Sequence, residues 1–208
     1  MQPPPPTDDD GAARRRDEIL DAALALLEEH GYRDTSMLKV ATRARASKNT
    51  LYQHFPTKQA LFAALVARAA AAMNADIVEA LTADEPLAPT LQTFGEHLLR
   101  LLSGPQSLAI NRAAIAEAKL APELAQALAA NGRDNTAPLL ARYLARQVAA
   151  GRLRADVPLP EAIEAFIGLL LGDLQVRLLW GIAAPPDDAA IRARARRATE
   201  RFLALFRA

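Results

Sequence analysis

The 208-residue chain is 51% hydrophobic, contains no cysteine and only three histidines, and has a formal net charge of +1. Without cysteine, disulfides and thiolate metal sites are excluded, and three scattered histidines are too few for a zinc cluster. No stretch approaches the roughly 18 uninterrupted apolar residues of a membrane span, and the opening MQPPPPTDDDG lacks the order of a secretory signal. We therefore expect a soluble cytoplasmic protein with no cofactor, no metal and no membrane partner.

The first segments along the chain predict a compact group of helices. Residues 1–13 are rich in proline and aspartate and are expected to form a disordered tail. From Arg14 apolar residues recur at helical spacing to about residue 30, where Gly31 can end the helix in a left-handed conformation. Two short helices, about 35–44 and 47–54, precede a break at Pro56 and a longer helix over about 57–80. Such a short break between two short helices indicates a helix-turn-helix unit.

The remainder of the chain predicts only further helices. Proline and glycine divide it into five helical segments at about 88–103, 106–118, 122–150, 159–180 and 187–206. No run shows the alternation and β-branched enrichment of a strand. The expected fold is therefore all-α, with about nine helices.

Basic residues are concentrated in the helix-turn-helix region although the whole chain is nearly neutral. Six basic residues lie between positions 33 and 58 against a single acidic one. A local excess of this kind is expected of a surface that docks on a polyanion. A solvated helical face would carry the same charges, and the charge distribution alone leaves both interpretations open.

The stretch SKNTLYQHF has the features of a recognition helix. Ser47, Lys48 and Asn49 form its first turn, where unpaired backbone N–H groups and the positive end of the helix favour phosphate. In the major groove Asn49 could read an adenine edge, and Thr50 could contact a thymine methyl group or a base acceptor. The N-terminal residues of this helix are therefore candidate DNA contacts.

The apolar residues of the same stretch predict its orientation. Leu51 and Phe55 lie one helical turn apart and are expected to face the core. Tyr52 and His54 would then point toward the DNA backbone. Both could instead be half-buried packing residues, and the sequence does not decide between the two.

These residues also match a known family. GYRDTS, followed by VATRARASKNTLYQHFPTKQALF, closely resembles the DNA-binding domain of TetR-family transcriptional regulators, and the match extends from Arg14 to about Phe62. The resemblance implies phosphate contacts from Thr35 and Lys58, and a contact of Arg14 to Arg16 with a neighbouring groove or phosphate. Lys58 could also be a solvated charge. The resulting set of predicted DNA-contacting residues is Arg14, Arg15, Thr35, Ser36, Arg45, Ser47, Lys48, Asn49, Thr50, Tyr52, His54 and Lys58.

Three positions depart from the family pattern. Arg45 occupies the position where the family usually has the turn glycine, so its backbone is expected to be left-handed at a cost of roughly 1 kcal/mol, which an added phosphate contact could offset. Ala46 replaces a larger apolar residue in the turn. Asn49 replaces a common glycine and should alter the preferred operator.

The C-terminal segments resemble the AefR-like subgroup of the same family. The resemblance implies a DNA-binding domain at 14–58 and a helical ligand-binding and dimerisation domain at 59–208. The expected protein is a ligand-responsive homodimeric regulator, a repressor that occupies a pseudo-palindromic double-stranded operator in the nucleoid. A small apolar or amphipathic effector would release it.

The last two predicted helices are the candidates for the dimer interface, because one is apolar around most of its circumference and the other is amphipathic. The predicted interface residues are Ile167, Leu171, Leu174, Leu178, Ile191, Ala195, Ala198, Phe202 and Leu205.

Large apolar residues with polar neighbours suggest an effector pocket, although each could instead belong to a dry core. The predicted pocket residues are Phe94, Leu98, Leu102, Ile110, Arg112, Tyr143, Phe166, Leu170 and Arg177.

Two other classes of protein were weighed. A helical enzyme is disfavoured because the sequence contains no paired carboxylates, no nucleophile with a base and no phosphate-binding glycine loop, so no catalytic residue is predicted. A helical small-molecule-binding or interaction protein with impaired DNA binding remains the alternative, and Arg45 in the turn is the feature that supports it.

Overall fold

The computed structural model describes residues 8–82, 86–120 and 122–208, and these residues form eleven α-helices and no β-strand. The all-α prediction is therefore confirmed, with two more helices than expected. The helices are α1 (Asp8–Asp34), α2 (Met37–Arg43), α3 (Lys48–His54), α4 (Lys58–Thr82), α5 (Leu87–Ser103), α6 (Pro105–Glu117), α7 (Pro122–Asn131), α8 (Arg133–Ala149), α9 (Leu159–Leu171), α10 (Leu174–Leu179) and α11 (Asp188–Phe206).

Helix α1 begins inside the segment that was predicted to be a tail. It starts at Asp8, because Ala12, Ala13 and the arginines that follow are strong helix formers and extend the helix toward the N-terminus. Residues 1–7 of the predicted tail lie outside the described residues. Near the other end Gly31 has a φ of 74°, which confirms the left-handed glycine and interrupts the helical geometry before Asp34.

The two extra helices arise where glycines divide segments that we predicted as continuous. The expected helix at 122–150 is broken at Gly132, and the one at 159–180 is broken at Gly172. Gly172 has φ 48° and ψ −127°, and the Arg194 guanidinium donates to the Leu170 carbonyl at 2.6 Å beside it. Apolar periodicity continues across both breaks, which is why the sequence pattern did not reveal them.

The described chain forms two compact units, and their division falls within helices α4, α6 and α7. The first comprises residues up to 68 together with 109–128. Its core includes Ile19 and Leu27 of α1 and Leu51 of α3, all nearly or fully buried. The Tyr32 ring packs edge-on against Phe62 with 4.7 Å between centroids, so α1 and α4 are held together by an aromatic contact.

The second unit comprises residues 69–108 and 129–208 and is built around the antiparallel pair α5 and α11. Arg100 near the end of α5 contacts Asp188 at the start of α11 at 3.1 Å. Farther along, a Cβ on Gly95 would lie 3.4 Å from the Ala195 Cβ and 3.1 Å from Leu170, so the glycine permits close helix approach. Phe166 of α9 packs against Phe202 of α11 with 5.5 Å between ring centroids. This unit is therefore a tightly packed helical core.

Within the described ranges, no helix combines the length and apolar character needed to cross a membrane. Across the same residues no three histidine or acidic side chains come together as a potential metal site.

The break at Gly172 generates a stability prediction. Its backbone conformation is nearly exclusive to glycine, and a Cβ would also lie 3.1 Å from the Arg194 guanidinium. Gly172→Ala should therefore lower the free energy of unfolding by about 2 kcal/mol, measured by chemical denaturation followed by circular dichroism. Gly168→Ala in helix α9 is the matched control, because its Cβ would enter open space and should stabilise by up to about 1 kcal/mol. Equal effects of the two substitutions would contradict the proposed role of the Gly172 backbone.

Candidate nucleic-acid interface

The turn between α2 and α3 adopts the hydrogen-bond pattern of a Schellman motif. The Arg45 N–H donates to the Thr42 carbonyl at 3.1 Å, and the Ala46 N–H donates to the Ala41 carbonyl at 2.9 Å. This motif requires a left-handed residue after the helix end, which is usually glycine. Arg45 occupies that position with a φ of 49°, which confirms the left-handed backbone predicted for it, and no other non-glycine residue in the described part of the chain has a positive φ.

Helix α3 starts immediately after this turn with a side-chain cap. The Ser47 hydroxyl accepts a hydrogen bond from the Thr50 N–H at 3.0 Å and lies 2.8 Å from the Thr50 hydroxyl. A serine cap satisfies one of the unpaired N–H groups at a helix start. The predicted start of the recognition helix is therefore confirmed, and the Thr50 hydroxyl already has a partner within the helix.

The two faces of α3 differ as the sequence predicts. Leu51 and Phe55 are 0% and 2% exposed and anchor the helix in the core of the first unit. Lys48 and Asn49 are exposed, and Tyr52 is 42% exposed. The Lys48 ammonium lies 5.9 Å from the centroid of the Tyr52 ring. The solvent-facing residues of α3 thus carry one positive charge, two amides (Asn49 and Gln53) and one phenol.

His54 and Lys58 lie at the end of this surface and are only partly accessible. His54 is half-buried, and its ring centroid is 6.2 Å from that of Phe55. The Lys58 ammonium donates to the Tyr32 carbonyl and lies 4.0 Å from the centroid of the Tyr32 ring. Burial lowers the pKa of Lys58, and the nearby Glu117 carboxylate partly opposes that shift. Lys58 is therefore engaged with the end of α1, and the alternative of a fully solvated charge is wrong.

The prediction of a side-chain phosphate contact from Thr35 is wrong. Thr35 is fully buried, and its hydroxyl donates to the Gly31 carbonyl at 2.8 Å, so a phosphate cannot reach it. In this chain the Thr35 hydroxyl instead secures the end of α1. The neighbouring Ser36 is exposed and caps α2 by accepting from the Lys39 N–H at 3.2 Å.

The arginines at the start of α1 are in three different environments. The Arg14 side chain is 81% exposed and lies 3.9 Å from Glu18. The Arg15 side chain is only 28% exposed, and it donates to Glu18 and to the Arg45 carbonyl at 2.6 Å. The Arg16 guanidinium lies 5.4 Å from the centroid of the Phe55 ring. Arg15 and Arg16 are thus in contact with the protein on either side of α3.

One contact in this region was missed by sequence reasoning. The Arg43 guanidinium makes two hydrogen bonds of 2.6 Å to the Glu29 carboxylate, joining α2 to α1. This bidentate pairing lowers the pKa of Glu29. The two residues are fourteen positions apart on different helices, and no motif relates them. Their opposite charges were the only signal available in the sequence.

The structure changes the predicted dimer interface. Five of its nine residues are buried within the chain itself and are corrected to core positions. Leu178 is buried on α10, and the other four lie on the apolar stripe that α11 turns toward α5 and α9: Ile191, Ala195, Ala198 and Phe202. Ile167, Leu171 and Leu174 are partly buried at the edge of the same core. Leu205 is exposed, as are Val176 and Trp180, which the sequence analysis did not include.

The predicted pocket residues are brought together only in part. Six of the nine belong to or pack against a single core cluster of the second unit: Phe94, Leu98, Leu102, Tyr143, Phe166 and Leu170. Ile110 is buried and Arg112 exposed in residues assigned to the first unit. Arg177 is exposed on α10, 3.9 Å from Asp173. These three residues are therefore not part of the cluster, which corrects their assignment to the predicted pocket.

Three buried hydroxyl groups of the second unit make no hydrogen bond of standard geometry within the protein. They belong to Thr90 of α5, Tyr143 of α8 and Thr199 of α11. Burial raises the pKa of the Tyr143 phenol, and the adjacent Thr90 hydroxyl partly offsets that shift. A polar group buried among apolar side chains is costly unless it finds a hydrogen-bonding partner. These hydroxyls are therefore polar groups within a mostly apolar core.

Comparison with known proteins identifies the family. Residues 19–65 match the family described as bacterial regulatory proteins, tetR family. Residues 89–208, more than half of the chain, match the C-terminal domain of AefR-like transcriptional repressors. The chain belongs to the TetR family of transcriptional regulators. It is therefore a helix-turn-helix DNA-binding regulator, and the family is not one of enzymes.

Individual TetR-family proteins share the fold over most of their length. A structure from Mesorhizobium loti assigned to the TetR regulators is 28% identical, with a TM-score of 0.80 over 95% of this chain and 98% of that one. The flavonoid-responsive regulator FrrA is also 28% identical, with a TM-score of 0.72 over 94% of this chain and 98% of that one.

The fatty acid metabolism regulator protein of Bacillus subtilis is 33% identical over 97 residues, 45% of this chain and 48% of that protein. The chain spans between 24% and 48% of the length of the curated relatives it matches.

The left-handed turn generates a pair of opposite predictions. Arg45→Gly should raise the free energy of unfolding by about 1 kcal/mol, because it removes the clash between Cβ and carbonyl in the left-handed conformation. Ala44→Gly, one residue earlier at a right-handed position, should lower it by about 0.5 to 1 kcal/mol. Chemical denaturation of both variants measures the two effects. Destabilisation by Arg45→Gly would show that the arginine side chain contributes more than its backbone strain removes.

Proposed function

We propose that this TetR-family regulator is a homodimeric repressor that binds a pseudo-palindromic operator through α3 and is released by a small apolar or amphipathic effector. The observation that carries the DNA-binding part is the two-sided character of α3. Leu51 and Phe55 anchor the helix in the core of the first unit, while Lys48, Asn49 and Tyr52 face solvent. A helix held in this way can enter the major groove with its first turn leading.

The chemistry of the exposed face supports distinct roles for its residues. The Lys48 ammonium suits a phosphate, and its counterion release would make binding sensitive to salt. The Asn49 amide can pair with the N6 and N7 atoms of adenine, which makes it the candidate for base readout. Tyr52 offers a hydroxyl for a phosphate and a ring that packs beside Lys48. Arg14, Ser36 and Ser47 would add contacts along the same duplex.

A two-fold dimer would present two copies of α3 to successive major grooves, about 34 to 36 Å apart, and a near-palindromic operator follows from that symmetry. Exposed apolar side chains on α10 and in the residues directly after it support such a dimer. Trp180 is 72% exposed and Ile182 is 62% exposed, and Val176 is also exposed. Large apolar side chains grouped at a surface are typical of protein interfaces.

The proposed effector site is the core cluster of the second unit. Its aromatic residues offer an apolar wall, while Thr90, Tyr143 and Thr199 carry buried hydroxyls that could bind a polar group of the effector. This combination favours an amphipathic molecule with a small number of hydrogen-bonding groups. The flavonoid response named for FrrA and the fatty acid regulation named for the Bacillus subtilis relative suggest two classes of compound with which to screen.

Operator selection tests the DNA-binding part. The purified protein should enrich a pseudo-palindrome from random duplexes, with an affinity that falls steeply as salt rises. Lys48→Ala should reduce the slope of log affinity against log salt by about 1.8, because the proposed dimer loses one phosphate contact in each protomer. Asn49→Ala should instead relax the preference at one position of each half-site, lowering discrimination there by about 1 to 3 kcal/mol.

Arg142→Ala is the matched control for this experiment. Arg142 is an exposed basic residue on α8, outside the proposed DNA-binding and dimer surfaces, and its loss should leave the salt slope unchanged. Absence of any enriched sequence at low salt would contradict the proposed operator binding. Equal effects of the Lys48 and Arg142 substitutions would contradict the role of α3.

A charge at Trp180 tests the dimer. Trp180→Glu would place a carboxylate in the proposed interface and should shift the sedimentation mass from dimer to monomer, with weaker operator binding as a consequence. Ile115→Glu is the control, because Ile115 is 63% exposed on α6 and is not one of the proposed interface residues. A dimer that is unaffected by Trp180→Glu would place the interface elsewhere.

A further inference from the structure

We infer that Arg15 is a positioning residue that holds the turn before the recognition helix, and that it is not one of the phosphate contacts. This inference rests on the proposed role of α3 as the DNA-reading helix. It reverses the expectation from the sequence, where Arg15 stood beside Arg14 as a second arginine for the DNA backbone.

The contacts of Arg15 leave it poorly placed to bind a phosphate. One guanidinium nitrogen lies 2.5 Å from the Glu18 carboxylate, and another donates to the Arg45 carbonyl at 2.6 Å. Glu18 also holds the guanidinium in one orientation, since arginine presents its donors in a rigid planar fork. The remaining N–H donors belong to a side chain that is only 28% exposed and whose charge is already paired with Glu18.

The carbonyl that Arg15 binds belongs to the most strained backbone position of the helix-turn-helix. Arg45 is left-handed, and its own N–H is already used in the turn. A turn of this kind is stable with glycine, whereas the Cβ of an arginine disfavours the left-handed conformation. The charged hydrogen bond from Arg15 fixes the orientation of the Arg45 peptide group and therefore opposes this relaxation.

The location of the turn explains why this contact matters for recognition. Ser47, which caps α3, is only two residues beyond Arg45, so rotation of the turn peptide would move the first turn of the recognition helix. At the other end of α3 the Arg16 guanidinium lies over the ring of Phe55. Two successive arginines of α1 thus contact the chain before and after the recognition helix.

Hydrogen–deuterium exchange of the DNA-free protein tests the positioning directly. Arg15→Ala should accelerate exchange of the amides from Ala46 to Leu51 by about tenfold, because the turn opens more often when the contact is lost. Arg14→Ala is the matched control, since its side chain is 81% exposed and should leave these amides unchanged. Circular dichroism of both variants verifies that they fold. Unchanged exchange in Arg15→Ala would overturn the inference.

The operator recovered by selection provides the second arm. Arg15→Ala should weaken binding by about tenfold, or 1.4 kcal/mol, at every salt concentration, without changing the salt slope. Arg14→Ala should reduce that slope by about 1.8, as expected for one phosphate contact in each protomer of the dimer. Arg15→Lys keeps the charge but cannot bridge two partners as a fork, so it should resemble Arg15→Ala.

The two arms separate failure of this inference from failure of the proposed function. Near-normal binding by Arg15→Lys, combined with a reduced slope for Arg15→Ala, would identify Arg15 as a phosphate contact and overturn the inference. If the wild-type protein binds no duplex, the proposed function fails, and the exchange experiment still decides whether Arg15 holds the turn.

Discussion

The geometry of the DNA-binding region depends on a single left-handed peptide between α2 and α3. The turn bonds from Arg45 and Ala46 close the end of α2, and Ser47 then starts α3 in a new direction. The apolar contacts of Leu51 and Phe55 hold the helix in that direction. A recognition helix must meet base edges within a fraction of an ångström, so a small rotation at this peptide would misplace every side chain on its exposed face.

Most proteins have glycine where a helix end requires a left-handed residue, whereas this chain has Arg45 there. Backbone strain at such a position persists only where surrounding contacts oppose its release. Here the opposing contact comes from Arg15 on α1, thirty residues earlier in the chain. The alternative of a regulator-like protein with impaired DNA binding was motivated by Arg45, and the intact turn geometry removes that motivation. The strain is accommodated without distorting either helix.

Local features of the fold were predictable from the sequence because they depend on neighbouring residues. Caps and the burial of Leu51 follow from short-range patterns, whereas the left-handed Arg45 was predicted from the family resemblance, in which that position is usually glycine. The contact between Arg15 and the Arg45 carbonyl was not predictable, because a guanidinium that binds a distant backbone oxygen leaves no periodic signal. Thr35 illustrates the converse, since a family pattern identifies an important residue without saying whether it touches DNA or the protein's own backbone.

The C-terminal unit shows a different limit of sequence patterns. The apolar stripe of α11 correctly predicted that one face is buried, but periodicity cannot say which surface covers it. The stripe, from Ile191 to Phe202, packs against α5 and α9 of the same chain. Exposed apolar residues such as Trp180 are the candidates for contact with a partner, and only a three-dimensional structure distinguishes them from core residues.

The most direct test of the account is to locate DNA relative to α3 by photo-crosslinking. A photoreactive phenylalanine analogue placed at Tyr52 should crosslink to the selected operator, because that side chain is exposed on the proposed DNA-facing side. The same analogue at Arg142 of α8, an exposed position outside this surface, should give no crosslink. Operator binding that leaves position 52 uncrosslinked while position 142 reacts would contradict the assignment of α3 as the DNA-reading helix.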